Sequence, residues 1–247
     1  MIPTTARRVA QQNRPHGMPI MKQRWAGLGF FHWPVDPDLI ASRLPHGLNV
    51  DTFEGAAWLG IVPFFMERVR PVYLPPVPIL SWFHELNLRT YVYDEKGNPG
   101  VWFFSLDCNQ PIAVELARSA FHLPYQHAAM TSKISNDVIH YRNLRKASSY
   151  PEAVFTYRKP ISPKPAITGS LDWFLIERYT LFSADKAGQL FSGRVHHHPY
   201  QIEPMSCSAC STIPFALNGF DEPETTPVSM LCANPVEVSV FPLKRLA

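Results

Sequence analysis

The sequence is poor in the features that mark several large classes of protein. Its four cysteines in 247 residues are too few for a disulfide-rich scaffold, so free thiols are expected. No run of about eighteen apolar residues is present, so no transmembrane helix is expected. The polar N-terminus lacks the apolar core of a secretory signal. Together these absences predict a cytoplasmic protein.

Charge is also sparse, and neither sign is concentrated. Charged residues make up 17% of the chain, below the usual fraction of about a quarter, and the net charge is +3. The basic residues are scattered and do not form the stripe with interleaved aromatic side chains that is typical of nucleic-acid binding. We therefore expect no nucleic-acid partner and no membrane partner, and the oligomeric state is left open.

Glycine is scarce and proline abundant, with 12 and 25 residues respectively. Many prolines flank apolar runs, which favours short strands joined by rigid turns over long helices. Several hairpin patterns and only two or three amphipathic helices predict a mainly β (α+β) fold, built on an antiparallel sheet or barrel. No repeat or linker divides the chain. We expect a flexible polar leader at 1–17 and a single domain at 18–247.

Two local patterns make sharper predictions. Alternating segments at 48–53 and 56–65 flank Glu54 and Gly55, which predicts a hairpin. A helix is predicted to open at Pro111 and to bury Ile112, Leu116 and Ala120, which recur at helical spacing.

Two groups of potential metal ligands are interpreted as structural. Cys207 and Cys210 form a C-x-x-C pattern, but three residues apart on a strand they are expected to face opposite sides, and no second ligand pair follows. The run from His196 to His198 alternates across a strand end, so at most two of its rings share a face. We therefore predict neither a metal site nor a cofactor.

Three polar residues alternate along one predicted strand. Glu85, Asn87 and Arg89 share a face, with Leu86 and Leu88 on the opposite one. If that face meets solvent, Glu85 and Arg89 form a weak surface pair. If it lines an interior, the three side chains could bind a polar ligand. Both interpretations are open at this point.

A set of motifs spread over about residues 20 to 245 resembles domain-of-unknown-function family 2071, an uncharacterised bacterial family in the acetoacetate decarboxylase-like superfamily. The resemblance implies an antiparallel β-barrel or cone around a small pocket, with a few short helices packed outside. It also implies that Glu85 lines the pocket, as a glutamate does in the matching strand of the decarboxylases. The motifs are Gln23-Arg-Trp25, His32-Trp-Pro-Val-Asp-Pro37, Gly55-Ala-Ala-Trp58, Glu85-Leu-Asn87-Leu-Arg89, Gly100-Val-Trp-Phe-Phe-Ser-Leu-Asp107, Leu123-Pro124-Tyr125, Leu171-Asp172 and Glu177-Arg178-Tyr179.

The nucleophile of that superfamily is missing. The decarboxylases have an arginine, a proline six residues later and then two lysines, and Arg118 and Pro124 match the first two. Tyr125 and Gln126 stand where the lysine pair would be, so lysine-dependent decarboxylation is not expected. Arg118 is interpreted as a structural partner for nearby carboxylates in preference to a holder of a substrate carboxylate. Tyr125 either acts as a general acid or fills the volume that a lysine side chain would occupy.

The sequence thus predicts a barrel that binds a small carboxylate or carbonyl compound without a Schiff base. Glu85 and Tyr125 are the candidate catalytic base and acid, and the candidate binding residues are Asn87, Arg89, Arg118 and Gln126. The alternative is a non-catalytic structural or regulatory protein. In that case the aromatic side chains of Trp58, Trp102, Phe103 and Phe104 would fill the barrel.

Overall fold

The computed structural model describes residues 1–246 and contains five short helices and seventeen strands in that range. The helices are α1 Thr5–Ala10, α2 Pro37–Ala41, α3 Pro111–Ala120, α4 Leu171–Ile176 and α5 Ile213–Ala216. The strands are β1 Met21–Ala26, β2 Leu28–Val35, β3 Leu48–Val50, β4 Ala57–Pro71, β5 Phe83–Asp94, β6 Pro99–Cys108, β7 Tyr125–Ser135, β8 Val138–Arg145, β9 Ala153–Arg158, β10 Lys164–Pro165, β11 Thr180–Ala184, β12 Leu190–His196, β13 Gln201–Pro204, β14 Cys207–Cys210, β15 Ser229–Ala233, β16 Val236–Val240 and β17 Lys244–Arg245.

Most strands belong to one large mixed sheet. Successive pairings run from β16 through β1, β4, β5, β6, β11 and β12 and return to β16. The first half of β4 also pairs with β2, which continues to β15 and β13. The prediction of a mainly β fold with a few short helices is confirmed. The sheet is not purely antiparallel, because β6 pairs in parallel with both β7 and β11.

A second layer covers one side of β5. Strands β7, β8, β9 and β14 form an antiparallel ladder, which packs on the main sheet through an apolar cluster. Leu86 and Leu88 point into this cluster, together with Ile139 and Tyr141. Because successive side chains on a strand alternate, Glu85 and Asn87 point to the other face of β5, which is also buried. The strand is therefore enclosed on both sides.

The predicted hairpin around Glu54 and Gly55 is wrong, apart from one β-bridge across the turn. Phe53 and Ala56 do pair across the turn. The preceding strand β3 pairs with β5, however. Both edges of the start of β4 are already occupied, one by β2 and the other by β5, so no edge remains for a local partner.

The predicted buried face of α3 is also wrong. The helix does open at Pro111, with Gln110 accepting a hydrogen bond from the backbone N–H of Ile112 as the N-cap. Ile112 and Leu116 are 62% and 50% exposed, however, and Val114 is the helix residue that is buried. Apolar residues cover more than one side of this helix, so spacing alone did not identify the side that packs. None of the described helices has the length and apolar character needed to cross a membrane.

The N-terminal segment, for which a flexible leader is predicted at 1–17, contains helix α1 and contacts the domain through Arg8. The two outer nitrogens of this guanidinium donate to the carboxylate of Asp51 at 2.5 and 2.6 Å. Arg178 donates to the same carboxylate at 2.6 Å. Burial of Asp51 works to raise its pKa, but the charges of Arg178 and Arg8 outweigh it and the pKa is lowered. Asp51 is therefore present as a carboxylate, and this carboxylate links the N-terminal segment to the core of the domain.

Replacing Arg8 with methionine is expected to destabilise the fold. The change removes two charge-assisted hydrogen bonds to Asp51, which keeps Arg178 as a partner, so we expect a loss of about 1.5–3 kcal/mol in the free energy of unfolding at pH 7. Urea denaturation followed by tryptophan fluorescence measures it. Arg142→Met is the matched control, since Arg142 forms an exposed pair with Glu152. Equal stabilities of the two variants would contradict the structural role of Arg8.

Candidate functional site

The largest apolar cluster of the protein contains a cavity of about 150 Å³. Strands β1, β4, β5, β6 and β12 and helix α3 contribute side chains to its wall, which is mainly aromatic and aliphatic. Its volume resembles that of cavities of about 150 Å³ that accept a benzene-sized molecule. The aromatic wall residues are Trp25, Phe64, Phe83, Phe103, Phe121, Tyr125 and Tyr200, and the other polar ones are Gln23, Glu85, Arg89, Arg178 and Thr180.

Glu85 and Tyr125 meet in this wall. The Tyr125 hydroxyl donates to Oε2 of Glu85 at 2.6 Å, and the two residues are only 8% and 3% exposed, respectively. The backbone explains the contact: β6 lies between β5 and β7, with Glu85 paired to Cys108 and Tyr125 to Leu106. The two side chains therefore reach each other across one strand. The structure brings together the two candidate catalytic residues.

The surroundings of the pair set its protonation state. Burial raises the pKa of Glu85 from its ordinary 4.5 to about 7, although the hydrogen bonds from Tyr125 and Asn87 lower it in part. Burial, followed by the charge of Glu85, raises the pKa of Tyr125 well above its ordinary value. Near neutral pH, Glu85 therefore can gain or lose a proton while Tyr125 keeps its own. This is the pattern of a general base beside a hydrogen-bond donor.

Two arginines face the same cavity, Arg89 from β5 and Arg178 from the segment after α4. Arg89 donates to the Leu175 carbonyl at 3.3 Å and lies over the ring of Phe30. Arg178 donates from Nε to the Phe174 carbonyl at 2.8 Å, and its side chain is 3% exposed. Arginine is seldom buried so fully.

The structure places Asn87, Arg118 and Gln126 outside the cavity wall. Asn87 is buried beside Glu85 on β5, and its Oδ1 has no hydrogen-bond partner within residues 1–246. Arg118 donates to the Tyr125 carbonyl at 2.8 Å and to Glu115 at 3.3 Å, so it holds the start of β7 from the outer side. Because successive side chains on a strand point to opposite faces, Gln126 lies on the face of β7 opposite to that of Tyr125.

Sequence reasoning missed Arg178, Thr180 and Tyr200 as wall residues. The sequence feature that could have identified this region is the Glu177-Arg178-Tyr179 motif, in which three ionisable residues follow an apolar helix. All three are buried. Glu177 accepts hydrogen bonds from the Tyr179 hydroxyl and from the backbone N–H of Tyr200 at 2.9 Å.

No lysine among residues 1–246 lines the cavity. Met21, Gln23 and Trp25 of β1 face it, so Lys22 points to the other side of the strand. Its ammonium group donates to the Ser239 hydroxyl at 2.7 Å. A Schiff base in this cavity would need a lysine that the wall does not contain.

No group of three or more potential metal ligands is assembled within the part of the chain described. The expectation that Cys207 and Cys210 face opposite sides is wrong, because the ladder with β9 shifts register between Cys207 and Ala209 and both residues pack on one apolar cluster. Burial is the first cause of the raised pKa of Cys210, followed by Cys207. A thiol with a raised pKa is a poor nucleophile and a poor metal ligand.

Comparison with known proteins gives the family. The model of domain-of-unknown-function family 2071, described as an uncharacterized conserved protein, matches residues 22–237. The chain belongs to this family. It is also 38% identical over 233 residues to the uncharacterized protein YqjF of Bacillus subtilis (strain 168), covering 94% of each chain.

Solved structures with the same fold come from the acetoacetate decarboxylase-like superfamily. The enduracididine biosynthesis enzyme MppR complexed with pyruvate matches with a TM-score of 0.62 and 11% identity, covering 94% of this chain and 91% of MppR. Acetoacetate decarboxylase from Legionella pneumophila matches with a TM-score of 0.61 and 15% identity over 95% and 92% of the two chains. An acetoacetate decarboxylase-like enzyme from Sphingomonas wittichii RW1 matches with a TM-score of 0.59 and 12% identity over 93% and 94%. At these identities the likeness establishes the fold alone.

The raised pKa of Glu85 predicts how its replacement changes stability with pH. Between pH 4.5 and about 7 the folded protein holds a proton on Glu85 that the unfolded chain has lost. This group therefore makes stability fall as pH rises, by up to about 1.4 kcal/mol per pH unit. Glu85→Gln removes the effect, so the free energy of unfolding of the variant relative to wild type should increase from pH 5 to pH 7.

Urea denaturation at several pH values measures this difference. Glu224→Gln is the control, since Glu224 is exposed in the segment between α5 and β15, and its difference from wild type should not follow the same trend. A difference for Glu85→Gln that stays constant between pH 5 and pH 7 would show that Glu85 has an ordinary pKa.

Proposed function

We propose that the cavity binds a small organic carboxylate or carbonyl compound, and that Glu85 and Tyr125 transfer a proton next to its carbonyl group without a covalent lysine intermediate. The observation that carries the proposal is the buried Glu85–Tyr125 hydrogen bond at 2.6 Å in an apolar cavity. A carboxyl group whose pKa is about 7 is suited to accept a proton near neutral pH.

The chemistry of the pair fits abstraction of a proton from the carbon next to the carbonyl. Glu85 in its carboxylate form takes the proton, and the electrons of the broken C–H bond move to the carbonyl oxygen. Tyr125, which keeps its proton, donates a hydrogen bond to the developing enolate oxygen. Such a donor favours the reaction because it binds the transition state better than the substrate. Addition of water to the carbonyl could use the same two groups.

The solved relatives agree with this class of ligand. One of the MppR structures contains pyruvate, a small molecule with both a carboxylate and a carbonyl group. The present chain would handle such a molecule differently from a lysine-dependent enzyme, because the lysine residues lie outside the cavity wall.

The alternative of a barrel filled by aromatic side chains is not favoured. The four aromatic residues that would fill it do not share one interior. Phe103 lines the cavity and Trp58 belongs to the same apolar cluster, whereas Trp102 packs against a small cluster around Phe182 and Phe104 packs against the cluster under the second layer.

A thermal-shift screen against small keto acids and carboxylates tests binding. A ligand present at one hundred times its dissociation constant should stabilise the protein by about 2.7 kcal/mol. Proton transfer is then tested by the exchange of α-hydrogens of pyruvate and 2-oxobutanoate with D2O, followed by proton NMR.

We expect wild type to accelerate this exchange and Glu85→Gln to lose about 100-fold or more of the acceleration. Glu115→Gln, with its exposed carboxylate, should behave as wild type. No stabilising ligand in the screen would contradict the binding claim, and equal exchange by Glu85→Gln and wild type would contradict the role of Glu85.

A further inference from the structure

The buried guanidinium group of Arg178 and the half-buried one of Arg89 flank the ring of Tyr91 at one end of the cavity. The central carbon of Arg178 lies 5.0 Å from the ring centroid and that of Arg89 lies 5.8 Å from it. The Tyr91 hydroxyl is engaged with Nε2 of His32 at 2.8 Å. The two cations are therefore held near each other by one aromatic ring, and both belong to the cavity wall.

Positive charge at this end exceeds the negative charge available to neutralise it. Asp51 is the acidic partner of both Arg8 and Arg178, and Arg89 forms no ion pair with any acidic residue in 1–246. His32 supplies no negative charge, and its pKa is lowered by burial and then by the charge of Arg89. Burying an uncompensated charge is costly.

Each arginine also has an unused donor. Nη2 of Arg178 and Nε of Arg89 are buried and have no hydrogen-bond partner among residues 1–246. The Arg178 side chain is more than nine-tenths buried, and its other nitrogens are fixed by Phe174 and Asp51. Unsatisfied donors in a buried cationic group are suited to a carboxylate.

The position of Glu85 limits what else the ligand carries. Glu85 and Arg89 are four residues apart on β5, so their Cα atoms are separated by about 13 Å along the strand. The wall contains Phe64, Phe103 and Leu106 as well as these polar groups. A second carboxylate near Glu85 would meet a like charge once Glu85 is ionised.

We propose that Arg178 and Arg89 form a carboxylate-binding end of the cavity, and that the ligand is a monocarboxylate with an apolar body reaching toward Glu85 and Tyr125. This inference rests on the proposed function and assigns the substrate class of the same site. Arg178 acts here as a binding residue that selects a singly charged acid. Arg118, which is bonded to the Tyr125 carbonyl on the outer side, takes no part.

Calorimetric titration of the wild-type protein with 3-phenylpropanoate and with its amide tests the proposal without any variant. The two probes have nearly the same shape and differ in charge. We expect the carboxylate to bind at least 10-fold more tightly than the amide. Equal affinities would overturn the proposed carboxylate end while leaving a small-molecule cavity in place. Binding of neither probe would overturn the proposed ligand class, and the proposed function fails as well only if the keto acids of the thermal-shift screen also do not bind.

Variants then locate the charge that matters. Arg178→Met and Arg89→Met should each weaken 3-phenylpropanoate binding at least 10-fold and leave amide binding unchanged, whereas Arg142→Met, on the surface, should alter neither. Arg178→Lys keeps the charge beside Asp51 and covers the case in which the methionine variant does not fold. It should retain part of the preference for the carboxylate. Full wild-type affinity for the carboxylate in Arg89→Met and Arg178→Lys would overturn the assignment to these two side chains.

Discussion

The enclosure of β5 on both faces is the constraint on which the site depends. One face carries Leu86 and Leu88 into the apolar cluster under the second layer, and the other face, with Glu85 and Asn87, is buried on the side of the cavity. A carboxylic acid in that position is poorly solvated, and the hydrogen bond from Tyr125 offsets only part of the cost. The packing of a strand thus produces a carboxyl group that exchanges its proton near neutral pH.

The rest of the site can be understood as compensation for buried charge. Asp51 is held as a carboxylate by Arg8 and Arg178, and the helix α1 that carries Arg8 is thereby fixed to the core. Glu177 is satisfied by Tyr179 and by the backbone of Tyr200. Arg89 is the exception, since its ring contacts with Phe30 and Tyr91 attract a cation but do not neutralise it. A cavity beside an uncompensated cation is suited to an anionic ligand.

The sequence predicted the fold class and much of the secondary structure, because alternation and turn residues act locally. The strand that carries Glu85, Asn87 and Arg89 and the helix opening at Pro111 are both present. The prediction from sequence failed where the pairing or the packed face of an element depends on which distant part of the chain it contacts. The hairpin at Glu54 was displaced by competing strands, and the wrong face of α3 was selected because that helix has apolar residues on more than one side.

The site was predictable in part for the same reason. The shared face of Glu85 and Arg89 follows from strand geometry, but whether it meets solvent depends on the distant strands and on helix α3, which enclose the cavity on that face. Tyr125 was identified from its place in the family motif. Arg178 was not, since its role depends on Asp51, which is 127 residues away in the chain. The clearest prediction was the absence of the lysine pair at the positions of Tyr125 and Gln126, because residue identities at motif positions are read directly from the sequence.

The measurement that tests this account most directly is a carbon-13 NMR titration of the glutamate carboxyl groups, with Glu85→Gln used to assign the resonance of Glu85. The account predicts that this resonance titrates with a pKa of about 7, well above the ordinary value of 4.5. A Glu85 resonance that titrates below pH 5 would mean that the carboxyl group is solvated, and would contradict its proposed role as the base of an apolar cavity.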